Sequence, residues 1–111
     1  GAGVIASGAD VNAGDSLMFV RRDPAAAQKD FSRALDDLKR RIGTRTILGG
    51  LYVSCVARGP QMFGKIGGEA AMIHKALGEF PLTGFFANGE ICGSRVYGYT
   101  GVLSVFLDRA L

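Results

Sequence analysis

The stretch from Asp23 to Gly43 constrains the fold more than any other part of the chain. Asp23 is a residue type that accepts hydrogen bonds from the free amides at a helix start, and Pro24 after it loses no internal bond. Ala27, Phe31, Leu35, Leu38 and Ile42 then recur at three- and four-residue spacing, an apolar stripe along one helical face. Gly43 supplies the left-handed position that ends such a helix. A stripe of this kind needs a second layer to bury it. Thr46 to Ala57 (TILGGLYVSCVA) follows at once, and reads as a strand buried on both faces or nearly so, bent at Gly49-Gly50.

Elsewhere the signals are shorter. Val4 to Ala6 reads as a short edge strand and Leu17 to Arg21 (LMFVR) as a full strand, with a turn-rich loop from Gly8 to Gly14 between them. Arg58-Gly59-Pro60 stops the long apolar run. A second helix is predicted from Gly68 to Leu77, with Ala70, Ile73 and Leu77 on one face and Gly78 at its end. Leu82 to Ala87 is a short strand, Asn88-Gly89 a turn, and Tyr99 to Leu107 an internal strand. The expected fold class is α+β: a single mixed β-sheet packed against two helices on one side, in the order (β)-β-α-β-α-β-β. The loop from Gly89 to Gly98 carries Glu90, Cys92 and Arg95 between apolar strands.

Composition narrows the function classes. With 111 residues, 48% apolar and 21% charged, the chain is one domain's worth of globular sequence and not a disordered one. Seventeen glycines follow no collagen period, and no apolar run reaches the ~18 to 20 residues of a membrane span. The formal charge of +3 is mild, and Lys39, Arg40, Arg41 and Arg45 cluster where a helix end favours cations. No nucleic-acid-binding signature accompanies that charge. Cys55 and Cys92 form no zinc-type pair with His or further Cys. No phosphate loop and no GxGxxG joins a strand to a helix, so no cofactor is expected. The first fifteen residues lack the features of a secretory signal, and a cytoplasmic location is expected.

Three segments carry the candidate chemistry: SCVARG at 54–59, GGEAAMIHKALG at 67–78 and PLTGFFANGEICG at 81–93. Arg58 and Glu90 each follow an apolar strand beside glycine, where open sheets place ligand-binding loops. An arginine there can clamp a carboxylate at two points and a glutamate can receive an amine. A salt bridge from Arg58 to Glu90 or to Glu69 explains the same residues. Glu69 suits a helix start on charge alone. Phe85 and Phe86 point to opposite faces of their strand, so one can fill the core while the other lines a pocket. Thr100 can hydrogen-bond a ligand. His74 is the only histidine, and neither cysteine has a nucleophile context around it, so no catalytic set is expected.

At these segments the chain resembles the C-terminal domain of the FIST family (F-box and intracellular signal transduction proteins). The resemblance runs through GADVNAGDSLMFVRRDPAAAQKD, LYVSCVARGPQMFG with Glu69 after it, LGEFPLTGFFANGEICG and YGYTGVLSVF, from about Gly8 to Leu107. Position by position, its motif residues here are Cys55, Arg58, Gly59, Glu69, Pro81, Gly84, Phe85, Gly89, Glu90, Tyr99 and Thr100. The resemblance implies a non-enzymatic sensory domain that binds a small molecule such as an amino acid. Arg58, Glu69, Phe85, Glu90 and Thr100 are then the candidate ligand contacts. It also implies a missing N-terminal domain, since members carry one, or a homo-oligomer that covers the same surface. A scaffold or dimerisation module is the alternative expectation.

Overall fold

The computed structural model describes residues 3–5 and 7–109. Helix α1 runs Pro24–Ile42. The Asp23 side chain accepts from the Ala25 and Ala26 amides, and Gly43 closes the helix at φ 63°. Strand β1 (Ile47–Cys55) passes into a 3-10 turn at Val56–Arg58 and a one-turn helix α2 (Pro60–Phe63). Helix α3 (Gly68–Leu77), strands β2 (Leu82–Ala87), β3 (Glu90–Cys92), β4 (Arg95–Tyr97) and β5 (Gly101–Leu107) complete the chain.

The main sheet is mixed and three-stranded, in the order β2-β1-β5. β1 and β2 are parallel, with α2 and α3 in the crossover, while β5 returns antiparallel to β1. Both long helices cover one face. Leu35 from α1, Ile73 from α3, Tyr52 from β1 and Phe80 form the buried cluster, with Phe31, Leu82 and Leu103 against it. The α+β class, the capped first helix, the second helix and the Leu82 strand are therefore present as the sequence predicts. No helix among the described residues is long and apolar enough to cross a membrane.

Four expectations need correction. Leu17 to Arg21 forms no strand, and Leu17, Met18, Phe19 and Val20 are all exposed. An apolar run alone does not make a strand, because the ladder bonds require a neighbour. Of the shorter Val4 to Ala6 strand, Val4 and Ile5 carry no regular structure and Ala6 lies outside the described residues. The stretch before α1 instead runs along the outside and meets the body where the Arg22 guanidinium donates to the Ala57 carbonyl. It contributes to a radius of gyration of 17.2 Å, against roughly 13 Å for a compact chain of about 100 residues.

From Gly50 on, the β1 strand is fully buried on one face and, apart from Cys55 at its end, only partly covered on the other. Gly50, Tyr52 and Ser54 are covered by the helices, whereas Leu51 on the other face is 36% exposed. β5 is an edge strand rather than an internal one, and it begins after Tyr99 and Thr100. The Gly89 to Gly98 loop folds into the β3–β4 hairpin, pairing Glu90 with Tyr97. Asn88-Gly89 is thus the bend that leads into a hairpin whose own turn is Gly93-Ser94.

Candidate functional site

The site is assembled where the end of β1, the start of α3 and the outer edge of β2 meet. Alternation along β1 aims Tyr52 and Ser54 at the helices. α3 begins after Gly67, which adopts φ 77°, a left-handed conformation suited to glycine. A Cβ on Gly68 would stand 2.6 Å from the Phe63 carbonyl oxygen, so only glycine lets α3 start this close to α2. That approach delivers Glu69, in the first turn of α3, to the floor of the sheet.

Glu69 is almost fully buried and accepts three side-chain hydrogen bonds. The Tyr52 hydroxyl donates to Oε1 at 2.6 Å and the Ser54 hydroxyl to Oε2 at 2.8 Å. Arg58, at the end of the 3-10 turn, donates through Nε to Oε1 at 2.9 Å. Three donors satisfy most of the acceptor capacity of a buried carboxylate. Burial, and then the bond to the Glu69 carboxylate and its charge, push the Tyr52 phenol well above its usual pKa, with Arg58 opposing.

Aromatic rings hold the arginine in place. Its guanidinium carbon lies 4.9 Å from the Phe63 ring centre and 5.6 Å from that of Phe31, within cation–π range. Phe31 stacks on Tyr52 at 5.8 Å and meets Phe63 edge-on at 5.7 Å. Arg58 is bound by Nε alone among the described residues, which leaves its terminal nitrogens free of protein acceptors. Its side chain retains 18% exposure.

Beside this cluster opens a cavity of about 370 Å³, lined by Arg58, Glu69 and Phe63 and walled by Ile66, Leu82 and Phe86. The size lies at the lower end of small-molecule sites, roughly 300–1,000 Å³. Phe86 stands level with Ser54 in the β1–β2 register, and Phe85 with Val53. Of the five sequence candidates, the structure brings Arg58 and Glu69 to one cavity; Phe85 borders it from β2, but its register with Val53 puts its side chain on the opposite sheet face, and Phe86, level with Ser54, takes the cavity side. Glu90 and Thr100 form a separate pair: the Thr100 hydroxyl donates to Glu90 Oε2 at 3.1 Å, and neither residue lines the cavity. Glu90 is 1% exposed, and its Oε1 has no partner among the described residues.

Sequence reasoning missed Tyr52, Ser54, Phe31 and Phe63. One signal was present: two hydroxyl residues spaced by two in an otherwise aliphatic strand share a face and need a buried acceptor. Chemically, Glu69 accepts from three neighbouring donors and thereby orients Arg58. His74 turns Nδ1 to the Gly78 carbonyl at 3.1 Å. Cys55 is buried and Cys92 exposed, both as free thiols. What the geometry offers is an arginine fixed at Nε, with its two terminal nitrogens available beside an apolar cavity.

Comparison with known proteins identifies relatives of this chain. The chain is 37% identical to the uncharacterized protein Rv0628c of Mycobacterium tuberculosis over 110 residues, covering 96% of this chain and 28% of that protein. It is 36% identical over 102 residues to the uncharacterized protein Mb0898c of Mycobacterium bovis, covering 88% of this chain and 26% of the relative. The chain thus spans about a quarter of the length of these relatives. No solved structure is significantly similar to it. The FIST C domain family matches residues 1–93, and that range contains all of α1, β1, α3 and β2 and every residue of the Arg58–Glu69 cluster. That family is one of sensory domains in signal transduction and is not a known enzyme family. The chain belongs to the FIST C domain family.

Proposed function

We propose that this domain is a sensory module whose cavity binds a small molecule through an acidic group held by Arg58. One observation carries the reading: Glu69 fixes the guanidinium at Nε, and the terminal nitrogens are left over on the wall of a ligand-sized cavity. A planar fork held this way offers two parallel donors to a carboxylate at little further cost in side-chain ordering. Amino acids are among the small carboxylates that such a site can receive. Phe86 covers the ligand on the β2 side.

Arg58→Lys tests the anchor, because it keeps a cation beside Glu69 and removes the fork. A panel of small carboxylates, amino acids included, is titrated calorimetrically into the parent and the variant, with circular dichroism as the control for folding. The expected result is saturable binding to the parent, weakened by about tenfold or more in a folded Arg58→Lys protein. Equal affinity in the two proteins removes Arg58 as the anchor. Absence of binding by every panel member removes the cavity reading itself.

A second reading, a scaffold or dimerisation module, is favoured by the bare sheet face. Leu51, Phe85 and Phe106 are exposed there, and Leu17 to Val20 are exposed ahead of α1. Contiguous apolar surface of this kind is the mark of association. The two readings separate by light scattering: a stable dimer that gains no thermal stability from any carboxylate supports the scaffold alone.

A further inference from the structure

We propose that the cavity takes an apolar carboxylate that carries no ammonium group, and that amino acids are the poorer ligands of this site. The inference rests on the Arg58 anchor argued above and adds the class of ligand. The charges on the lining carry it. Arg58 and Lys65 are its strong bases and Glu69 is its one carboxylate. Both oxygens of Glu69 are already occupied, Oε1 by Tyr52 and Arg58 and Oε2 by Ser54, and its side chain is only 7% exposed. A carboxylate has about four lone-pair sites, so three donors nearly exhaust it.

An α-ammonium brought in beside the ligand's carboxylate would therefore meet no free anion on this wall. Glu90, the residue that the sequence offers for that role, lies outside the lining, where it accepts from Thr100. His74 also touches the lining, with Nδ1 at the Gly78 carbonyl, but an imidazole offers an ammonium no negative charge. An ammonium stripped of water without an anionic partner is costly to hold.

Charge balance gives the same answer. Arg58 and Glu69 form a neutral pair at 2.9 Å, which leaves the solvent-exposed Lys65 to make the lining net positive. One negative charge on the ligand balances it. A zwitterion supplies none in net, and a phosphate monoester supplies about two. Beside the Tyr52 and Ser54 hydroxyls, which are spent on Glu69, the lining offers hydrocarbon at Phe63, Ile66, Leu82 and Phe86, which suits an alkyl or aryl body and rewards its burial.

The experiment uses matched pairs: straight-chain, branched and aryl carboxylates, each beside its α-amino derivative, such as 3-phenylpropanoate with L-phenylalanine and 4-methylpentanoate with L-leucine. The corresponding amine and 2-phenylethyl phosphate are run as further arms, all by calorimetry on the chain as it stands. The expected result is that at least one simple acid binds about tenfold or more tightly than its α-amino partner, with the amine silent and the phosphate weaker. Amino acids binding as well as or better than the simple acids overturn this inference and leave the Arg58-anchored site standing. A phosphate that binds most tightly overturns it in the same way. Silence from every acid, amino acid and phosphate overturns both.

Discussion

Glu69→Gln keeps the shape of the buried side chain and removes its charge, so it isolates what the carboxylate contributes. In the native protein Oε1 takes the Tyr52 hydroxyl at 2.6 Å and Arg58 Nε at 2.9 Å, while Oε2 takes Ser54 at 2.8 Å. With glutamine, one neutral oxygen serves two donors, and the amide nitrogen replaces an acceptor opposite Ser54. The serine hydroxyl must then turn to accept. Arg58 also loses its counter-charge. Removing one member of a buried ion pair costs about 3–5 kcal/mol. Two features lower that figure here: the 18% exposure of the Arg58 side chain and its contacts with the Phe63 and Phe31 rings, each contact of this type being worth about 0.5–2 kcal/mol. A loss of about 2–3 kcal/mol remains. Against a total domain stability of about 5–15 kcal/mol, that is a large share, and it corresponds to a drop in Tm on the order of 10 °C. Urea unfolding followed by circular dichroism measures it, with an unchanged m-value as the sign that only stability has moved. A loss below about 0.5 kcal/mol would refute the reasoning, because the Arg58–Glu69 pair would then behave as a solvated surface bridge.

Tyr52→Phe makes a prediction in pH. The Tyr52 phenol is raised well above the ordinary value of about 10 by burial and by Glu69. The folded state therefore favours the neutral phenol. Its contribution is complete below pH about 10 and is lost as pH rises beyond it, because the unfolded chain gives up that proton first. The parent should lose urea resistance above that pH, with a steeper slope than Tyr52→Phe; identical slopes would exclude Tyr52 as the source. Thr100→Val takes from Glu90 the donor at 3.1 Å while its other oxygen already lacks one. A loss of about 1–3 kcal/mol in urea unfolding is expected, with carboxylate binding unchanged. If binding falls and stability does not, Thr100 belongs to the ligand site after all.

The parts of this fold that were legible in the sequence are those whose causes are local. Asp23, Pro24 and Gly43 act within a turn or two of α1, and the stripe from Ala27 to Ile42 needs no knowledge of the partner layer. Leu17 to Arg21 shows the opposite case. Its apolar residues suit a strand, but strand formation depends on a neighbour that no local pattern supplies, and these residues are exposed in the structure. The site divides in the same way. Arg58 and Glu69 could be picked out from their places at a strand end and a helix start. That Glu69 satisfies Arg58, and that Glu90 turns to Thr100 instead, are tertiary facts.

Two glycines explain why Tyr52 escaped notice and why it matters. Gly84 lies directly opposite Tyr52 in the parallel register, and a Cβ there would run into the Tyr52 backbone carbonyl. Gly101 lies beside the tyrosine ring, where a Cβ would come within 2.8 Å of Cε2 and Cζ and would overlap the hydroxyl. Gly84 thus lets the β2 backbone close on the Tyr52 main chain, and Gly101 leaves room for the hydroxyl end of the ring, with Phe31 stacked against it. In that position the hydroxyl reaches Glu69, and Glu69 reaches Arg58. A sequence displays Gly84 and Gly101 only as breaks in two apolar strands, 17 positions apart. Their physical role is to let β2 and β5 close on Tyr52 from opposite sides. The orientation of Arg58 toward the cavity thus depends on backbone proximity at Gly84 and Gly101 as much as on the charged pair itself.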